Sequence, residues 1–528
     1  MQDSHRNTMN AQHPCAAEPS WELRDGSWTR PLLAAESFLD QVNQLADGHD
    51  EFAFGVVIST QIPLNNLKNK VIEALIRLRY FAPLIASSIK GGIHDHQLRS
   101  WVYHRGQSTE EVRNWAQKGL QVTSHAQPQA YGQLLVSSLI KDSQPPELAD
   151  QPFACHLVVA PDTTTPNAIL FHASHALMDG PGALTIFKKF LHWVVVDLPS
   201  GSDTYEWGTE NRNLPLGLVT ATGGVRNEWE KWHGKLTEER EAAFAFEAKQ
   251  PTHSLSPSRQ DITSPGNVFA NRKISSAITT QLVKVIKGMS FTITQLFDAA
   301  FILATFKYHT EISGNKSQAH ITLYPTIVNL RPHIVPLYAG HDIDTCLNIC
   351  DTGFPLVVPY NIIYHSDDDT HTTDATRLLR IMSSVKEQYA RFLSNPHHMY
   401  VEAVEAAVNP LRELPLGGNP YSGEITNLGV IERWLPFEYR RTDNPSWEKS
   451  ELAGGMGDCA GSDLEIKDVV VALRQRTKRP MVHVWSICSE LRLQVQASDV
   501  WDVEYLGGFL EEIITCAYLI LGGPPLNA

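Results

Sequence analysis

Cysteine is scarce in this chain, and basic residues are outnumbered. Seven cysteines stand at positions 15, 155, 346, 350, 459, 488 and 516. Their number is odd and only Cys346 and Cys350 lie close together, which argues against a disulfide framework or a zinc site. A reducing compartment, the cytoplasm, is expected. Lys and Arg total 44 against 58 Asp and Glu, for a formal net charge of -14. Phosphate backbones need a basic footprint, so nucleic-acid binding is not expected, although a local basic patch for an anionic co-substrate stays open. No apolar run approaches the roughly 18 residues of a membrane span. Met1 to Pro14 is polar, without the apolar core of a secretory signal. There is no short-period repeat.

What is present is globular material, with 528 residues of which 42% are hydrophobic and 19% charged. That is enough for two domains and a large core. Residues 1–20 read as a disordered leader and 21–196 as a first α/β domain. A crossover linker is expected over 197–266, and a second α/β domain over 267–528. Phe52 to Ile58 is β-prone. After Pro63, the residues Leu64, Leu67, Val71, Leu75 and Leu78 form a helical stripe. Residues 153–159 and 168–173 are apolar strands. Pro181-Gly182 then opens a helix carrying Leu184, Phe187, Leu191 and Val194, because proline costs nothing at a first helical turn. The linker holds a charged helix near 227–247. A helix is expected from Thr294 to Phe306 and a strand over 320–328. Val482–Cys488 and Leu491–Val495 read as paired strands, and a last helix ends at Gly522-Gly523-Pro524-Pro525.

The most informative stretch is His175-Ala176-Leu177-Met178-Asp179-Gly180, at the end of the second apolar strand. It offers an imidazole, a carboxylate four residues on, and a glycine where the chain must turn. Histidine is the usual base for an alcohol nucleophile, because its ordinary pKa of about 6.5 lies near working pH. A strand-to-helix junction places such a side chain at the rim of a sheet. Asp179 suits a structural task, capping the helix or pairing with an arginine, better than proton relay. Taken alone, a histidine at a strand end is more often a satisfied structural residue, so the context has to decide.

Several segments taken in order resemble the CoA-dependent acyltransferase superfamily. Its members include the plant BAHD transferases, chloramphenicol acetyltransferase and peptide-synthetase condensation domains. The nearest resemblance is to the fungal trichothecene 15-O-acetyltransferase-like group. Arg30-Pro31-Leu32 with Glu36, Phe81-Ala82-Pro83-Leu84, and the His175–Gly180 hexad carry it in the first half. Phe291-Thr292 with Leu296 and Ala299-Ala300, Val328-Asn329-Leu330-Arg331-Pro332, and Thr426-Asn427-Leu428-Gly429 carry it in the second. The resemblance implies two chloramphenicol-acetyltransferase-like domains, with mixed sheets flanked by helices and a central tunnel at their interface. It implies His175 as general base, Asp179 turned away from the tunnel and paired with Arg331, and Asn329 and Gly180 as structural members of their motifs. Thr426, Asn427 and Gly429 would lie near the reaction centre. Lys284, Lys287, Ser290 and Thr292 would be candidate contacts for CoA. Acyl-CoA, acetyl-CoA foremost, would be a co-substrate rather than a tightly bound cofactor, and the acceptor a small hydrophobic alcohol such as a terpenoid. A monomer is expected. Position 174 is Ser, where condensation domains carry a second histidine, and the Asp-Phe-Gly-Trp-Gly motif of the plant enzymes is absent.

Two other readings stay open. His365, Asp367, Asp369, His371 and Asp374 form a cluster whose donors suit a divalent metal, although an exposed acidic loop is the plainer account and no metal is expected. The fold would also serve a condensation or cyclisation in the same tunnel, or a silent ligand-binding relative.

Overall fold

The computed structural model describes residues 18–92, 99–162, 164–196, 205–224, 228–249, 252–259, 261–309, 318–324, 326–335, 350–352, 355–364, 372–398, 400–401, 423–440 and 463–522. Most of the expected leader lies outside them.

Two sheets carry the architecture. The larger has six strands, and in space they run Glu438–Tyr439, Leu464–Leu473, Glu51–Thr60, Asn167–Ser174, Phe153–Val159 and Leu120–Ser124. Pairing is antiparallel except at its last edge, where Leu120–Ser124 runs parallel to Phe153–Val159. The smaller has four strands, in the order Glu424–Val430, Met481–Ile487, Glu490–Ser498 and Asn267–Ile274. Its first pair is parallel and the rest antiparallel. Both sheets are mixed and flanked by helices.

Strand Glu51–Thr60 shows why the larger sheet is a two-faced layer. Phe52, Phe54, Val56 and Ile58 enter the large core, while Ala53 and Val57 face a smaller cluster with Leu135, Val136 and Leu170. Alternation with period two puts the bulky set on one side and the small set on the other. Helices Leu64–Phe81 and Gly180–Val195 cover the bulky face; Leu67, Val71, Leu75 and Leu78 of the first are fully buried. Each such side chain contributes roughly 1.5–3 kcal/mol by leaving water. A second core gathers around helices Ile293–Tyr308 and Val503–Tyr518.

The second half is not closed on itself. Leu464–Leu473 lies beyond position 267, yet it is an inner strand of the larger sheet, paired with Glu51–Thr60 from Leu464↔Thr60 to Leu473↔Phe52 with one register shift between Ile466 and Asp468. Sequence order hides this, because strand pairing is a long-range choice. Buried amides stitch the two sheets together where this strand crosses. Gln494 Nε2 donates to the Val471 carbonyl at 2.7 Å, and the Leu473 N–H donates to Gln496 Oε1 at 3.0 Å. Asn267 and Gln475 exchange a reciprocal pair at 2.9 and 3.0 Å.

Other expectations meet local corrections. The strand expected over 320–328 is two short strands in different ribbons. His320–Leu323 pairs with Leu356–Pro359, and Ile327–Asn329 pairs with Cys350–Thr352. The charged helix expected in the linker is present, from Trp229 to Lys249. Its Leu218 and Ala221 pack on Leu330. Among the described residues no single helix is long and apolar enough to cross a membrane.

Candidate active site

The strand Asn167–Ser174 is held on both sides, Ser174 opposite Glu51 and Ala173 opposite Phe153. It then breaks into a turn. The Leu177 N–H donates to the Ser174 carbonyl at 3.0 Å and the Ala176 N–H to Ser174 Oγ at 3.3 Å. Ala176, Leu177 and Met178 are fully buried and anchor the turn. Between Phe171 and Asp179, His175 is the single residue that is not buried. Its ring lies 5.3 Å from that of Phe52, tilted by 59°. The imidazole thus packs against Phe52, and His175 is the one partly exposed residue of the turn.

Asp179 is extended, with φ −99° and ψ 175°, and caps helix Gly180–Val195 by accepting from the Gly182 N–H at 2.7 Å. Pro181 sits in the first turn, where its missing N–H has no consequence. The same carboxylate receives Arg331 as a fork. Nη1 donates to Oδ2 and Nη2 to Oδ1, both at 2.8 Å. The pair is almost fully buried, with side-chain exposures of 1% and 7%. Asn329 Oδ1 accepts from the Arg331 backbone N–H at 3.1 Å and from Nη1 at 3.4 Å. A carboxylate so engaged acts as a strut between the halves. Breaking such a buried pair from one side costs about 3–5 kcal/mol, because the other charge is left stranded.

Gly180 was expected to supply a sharp turn. Its φ is not in the left-handed region. A Cβ there would stand 2.7 Å from Leu428 Cδ2, so the glycine lies close to a side chain of the second half. Leu428 belongs to the Thr426-Asn427-Leu428-Gly429 element on strand Glu424–Val430. Each residue of that element has a separate task. Thr426 Oγ1 meets His483 Nδ1 at 2.6 Å. Asn427 Nδ2 donates to Thr294 Oγ1 at 3.0 Å, and its Oδ1 accepts from the Gly429 N–H at 2.8 Å. Gly429 adopts φ +75° at an irregularity in the pairing with Met481–Ile487.

His483 went unnoticed in the sequence. Val482 and Val484 lie in the second core, whereas Met481, Trp485 and Ile487 lie in the first. Alternation therefore turns His483 towards the first half. Its pKa is pushed down to about 3, by burial first and by neighbouring His175 second. The alternation was legible in the sequence; the neighbour was not.

Lys284, Lys287, Ser290 and Thr292 gather at one exposed corner, where helix Ser276–Gly288 gives way to Ile293–Tyr308. No hydrogen bond or ion pair links them to the His175 group among the described residues. Thr292 caps its helix in a reciprocal box with Gln295, at 3.2 and 3.0 Å. Ser290 has φ +60°, and its carbonyl accepts from Lys386 at 2.8 Å. The early Arg30–Glu36 element is a buried fork at 2.5 and 2.8 Å, and Arg30 Nη1 reaches the Pro215 carbonyl at 3.2 Å. It fastens the linker to strand Ser27–Pro31, which belongs to a separate four-stranded sheet of the first half. Of the possible metal cluster, His365, Asp367, Asp369 and His371 lie outside the described residues. Asp374 is described, and it pairs with Lys307 at 3.0 Å and Arg377 at 2.7 Å.

Among solved structures, the trichothecene 15-O-acetyltransferase TRI3 from Fusarium sporotrichioides is similar with a TM-score of 0.75 and 17% identity, over 96% of this chain and 98% of that one. The condensation domain of the monacolin K polyketide synthase MokA gives a TM-score of 0.56 at 12% identity, over 93% and 97%. A starter condensation domain of rhizomide synthetase, solved in complex with C8-CoA, gives 0.55 at 14% identity, over 93% and 95%. Nothing matches among curated protein sequences. These likenesses show a shared fold. The family described as Tri3: 15-O-acetyltransferase Tri3 matches residues 50–405, a span that includes His175, Asp179 and Arg331. The chain belongs to the Tri3 15-O-acetyltransferase family and is an acyltransferase.

Proposed function

We infer that this enzyme moves an acetyl or other short acyl group from CoA to a hydroxyl of a hydrophobic secondary metabolite such as a terpenoid. The observation that carries the reading is the state of the hexad. His175 alone is partly exposed, on a turn whose carboxylate is committed to Arg331. With Asp179 held in that fork, His175 is the group available for proton transfer. The two substrates meet at its ring, as in the passage between the halves that the family resemblance implies.

The chemistry needs no covalent enzyme intermediate. His175 accepts the hydroxyl proton as the alcohol oxygen attacks the thioester carbonyl carbon. The carbonyl electron pair moves onto oxygen. The intermediate collapses, the carbonyl re-forms, the C–S bond breaks, and the proton on His175 passes to the departing thiolate. General base catalysis of this kind contributes about 10²–10⁴-fold. Lys284, Lys287, Ser290 and Thr292 supply donors on the second half for the CoA moiety. The exposed corner they occupy is compatible with a long anionic co-substrate lying along the surface. A soluble monomer in the cytoplasm completes the reading.

The test is thiol release by the purified enzyme, with a panel of acyl-CoAs and hydrophobic alcohols, followed by mass spectrometry of the product. An acyl ester whose formation needs both substrates supports the reading. Absence of thiol release across the panel, from protein that is folded, overturns it.

A further inference from the structure

The geometry points to His483 as a second imidazole of the reaction centre, a neutral donor whose Nε2–H meets the thioester carbonyl oxygen as it becomes an oxyanion. This rests on the acyl-transfer reading above and assigns a role that His175, Asp179 and Arg331 do not fill.

Three observations carry it. The first is placement. His483 lies on the sheet face turned towards the first half, between Met481 and Trp485, which belong to the first core. It is close enough to His175 for a charge on one ring to oppose a charge on the other. The second is an orphaned atom. His483 is 3% exposed, and its Nε2 is buried with no hydrogen-bond partner among the described residues. A buried ring nitrogen is ordinarily satisfied. Here the partner to be supplied is a ligand atom arriving beside His175. The third is the contact made by the other ring nitrogen. Thr426 Oγ1 stands 2.6 Å from Nδ1. With the hydroxyl donating to Nδ1, the single ring proton of a neutral imidazole sits on Nε2 and points away from Thr426.

The two rings then divide the work. His175 is the uncovered one and exchanges a proton with the alcohol and the thiolate. His483 is enclosed, which disfavours its charged form, so it keeps one N–H through the whole cycle. As the alcohol oxygen bonds to the carbonyl carbon, the C=O electron pair moves to oxygen and the Nε2–H hydrogen bond to it strengthens. When the C–S bond breaks, the pair returns and the bond relaxes. His483 neither gains nor loses a proton. A fixed donor in a water-poor site stabilises developing charge without reorganising. Thr426 is a positioning residue, acting through the ring it orients.

The experiment compares wild type, His483→Leu, His483→Asn, Thr426→Val and Thr426→Ser for thiol release and for acyl-CoA binding by calorimetry. His483→Leu is expected to lose about 10²–10³-fold in kcat, as when one oxyanion donor is removed, with acyl-CoA affinity and the acid limb of the pH–rate profile retained. His483→Asn, which keeps an N–H, recovers part of that loss. Thr426→Val falls about tenfold and Thr426→Ser stays near wild type, the loss of one neutral hydrogen bond being of that order. Turnover by folded His483→Leu close to wild type overturns the inference and leaves the transferase reading standing. A wild-type enzyme that releases no thiol with any substrate pair overturns the reading and this inference with it. Should His483→Leu fail to fold, ¹⁵N-histidine spectra of the wild type decide. An Nε2–H tautomer whose resonance moves on adding a non-transferable ketone analogue of acetyl-CoA supports the assignment. An Nδ1–H tautomer, or a resonance that the analogue leaves in place, overturns it.

Discussion

Two histidines three residues apart, at the end of one strand, meet opposite fates. His172 sits inside the larger sheet, opposite Ala53 and Ala154, and is fully buried. Its Nε2 lies 3.3 Å from the Glu51 carboxylate, and its ring centre 6.0 Å from that of His156. Burial and the His172 neighbour push the His156 pKa down to about 3. His175 falls one step past the strand, in a turn pinned by three apolar residues, and is partly exposed. The same side chain is thus a sealed structural element at one position and a reagent at the other. What separates them is which residue the ladder still holds. A turn of the chain, rather than any property of histidine, decides who meets the substrate.

The sharpest way to break this contrast is His175→Ala. Turnover should fall about 10²–10⁴-fold with the melting temperature unchanged. Wild-type rates of thiol release from that variant would remove the distinction.

The next largest effect is expected at the strut beneath the reagent. Asp179→Asn removes one charge from a buried fork and weakens the helix cap, so stability and rate should fall together. About 3–5 kcal/mol is expected from chemical denaturation. A variant that unfolds like wild type yet has lost turnover would mean that Asp179 acts in the chemistry itself.

His172→Phe is the mirror experiment. It deprives Glu51 of a neighbour, although that carboxylate still accepts from the Ile140 N–H at 3.1 Å. A loss of about 1–3 kcal/mol in stability is expected, with kcat within twofold. A collapse of kcat in a well-folded variant would erase the difference between the two positions.

The smallest effect concerns pH. Asp298, in helix Ile293–Tyr308, is buried, and its pKa is raised to about 7 by desolvation, opposed by a hydrogen bond from Tyr389 at 3.2 Å. A carboxyl whose folded-state pKa is raised binds its proton more tightly folded than unfolded. Its favourable contribution is complete below the unfolded value near 4 and is lost as pH rises through 7. Asp298→Asn should therefore flatten the decline in melting temperature between pH 5 and pH 8, by about 1–3 kcal/mol at the alkaline end. An unaltered pH dependence would show that Asp298 ionises freely in the native state.

Local signals in the chain were read well where local physics governs. The stripe after Pro63, the proline-opened helix behind Asp179 and the alternation near residues 482–495 all follow from periods of 3.6 and 2. The strand expected over 320–328 failed because two short ribbons compete for one apolar run. The hexad was visible as a motif, and its arginine partner was reached through family resemblance. Gly180 turns the chain without a left-handed φ, which its residue type alone does not reveal. His483 and Thr294 stayed hidden, since nothing in their immediate neighbours announces a partner more than a hundred residues away.

By itself the sequence determined the elements, their buried faces and the chemistry available in the hexad, because propensity, side-chain period and capping act over a few residues. The tertiary structure alone decided that Leu464–Leu473 completes the first sheet, that Asp179 and Arg331 close as a fork, and that His483 is turned towards the first half. Those pairings join distant segments, and the free energy that selects them comes from burying apolar surface and matching buried polar groups across the whole fold.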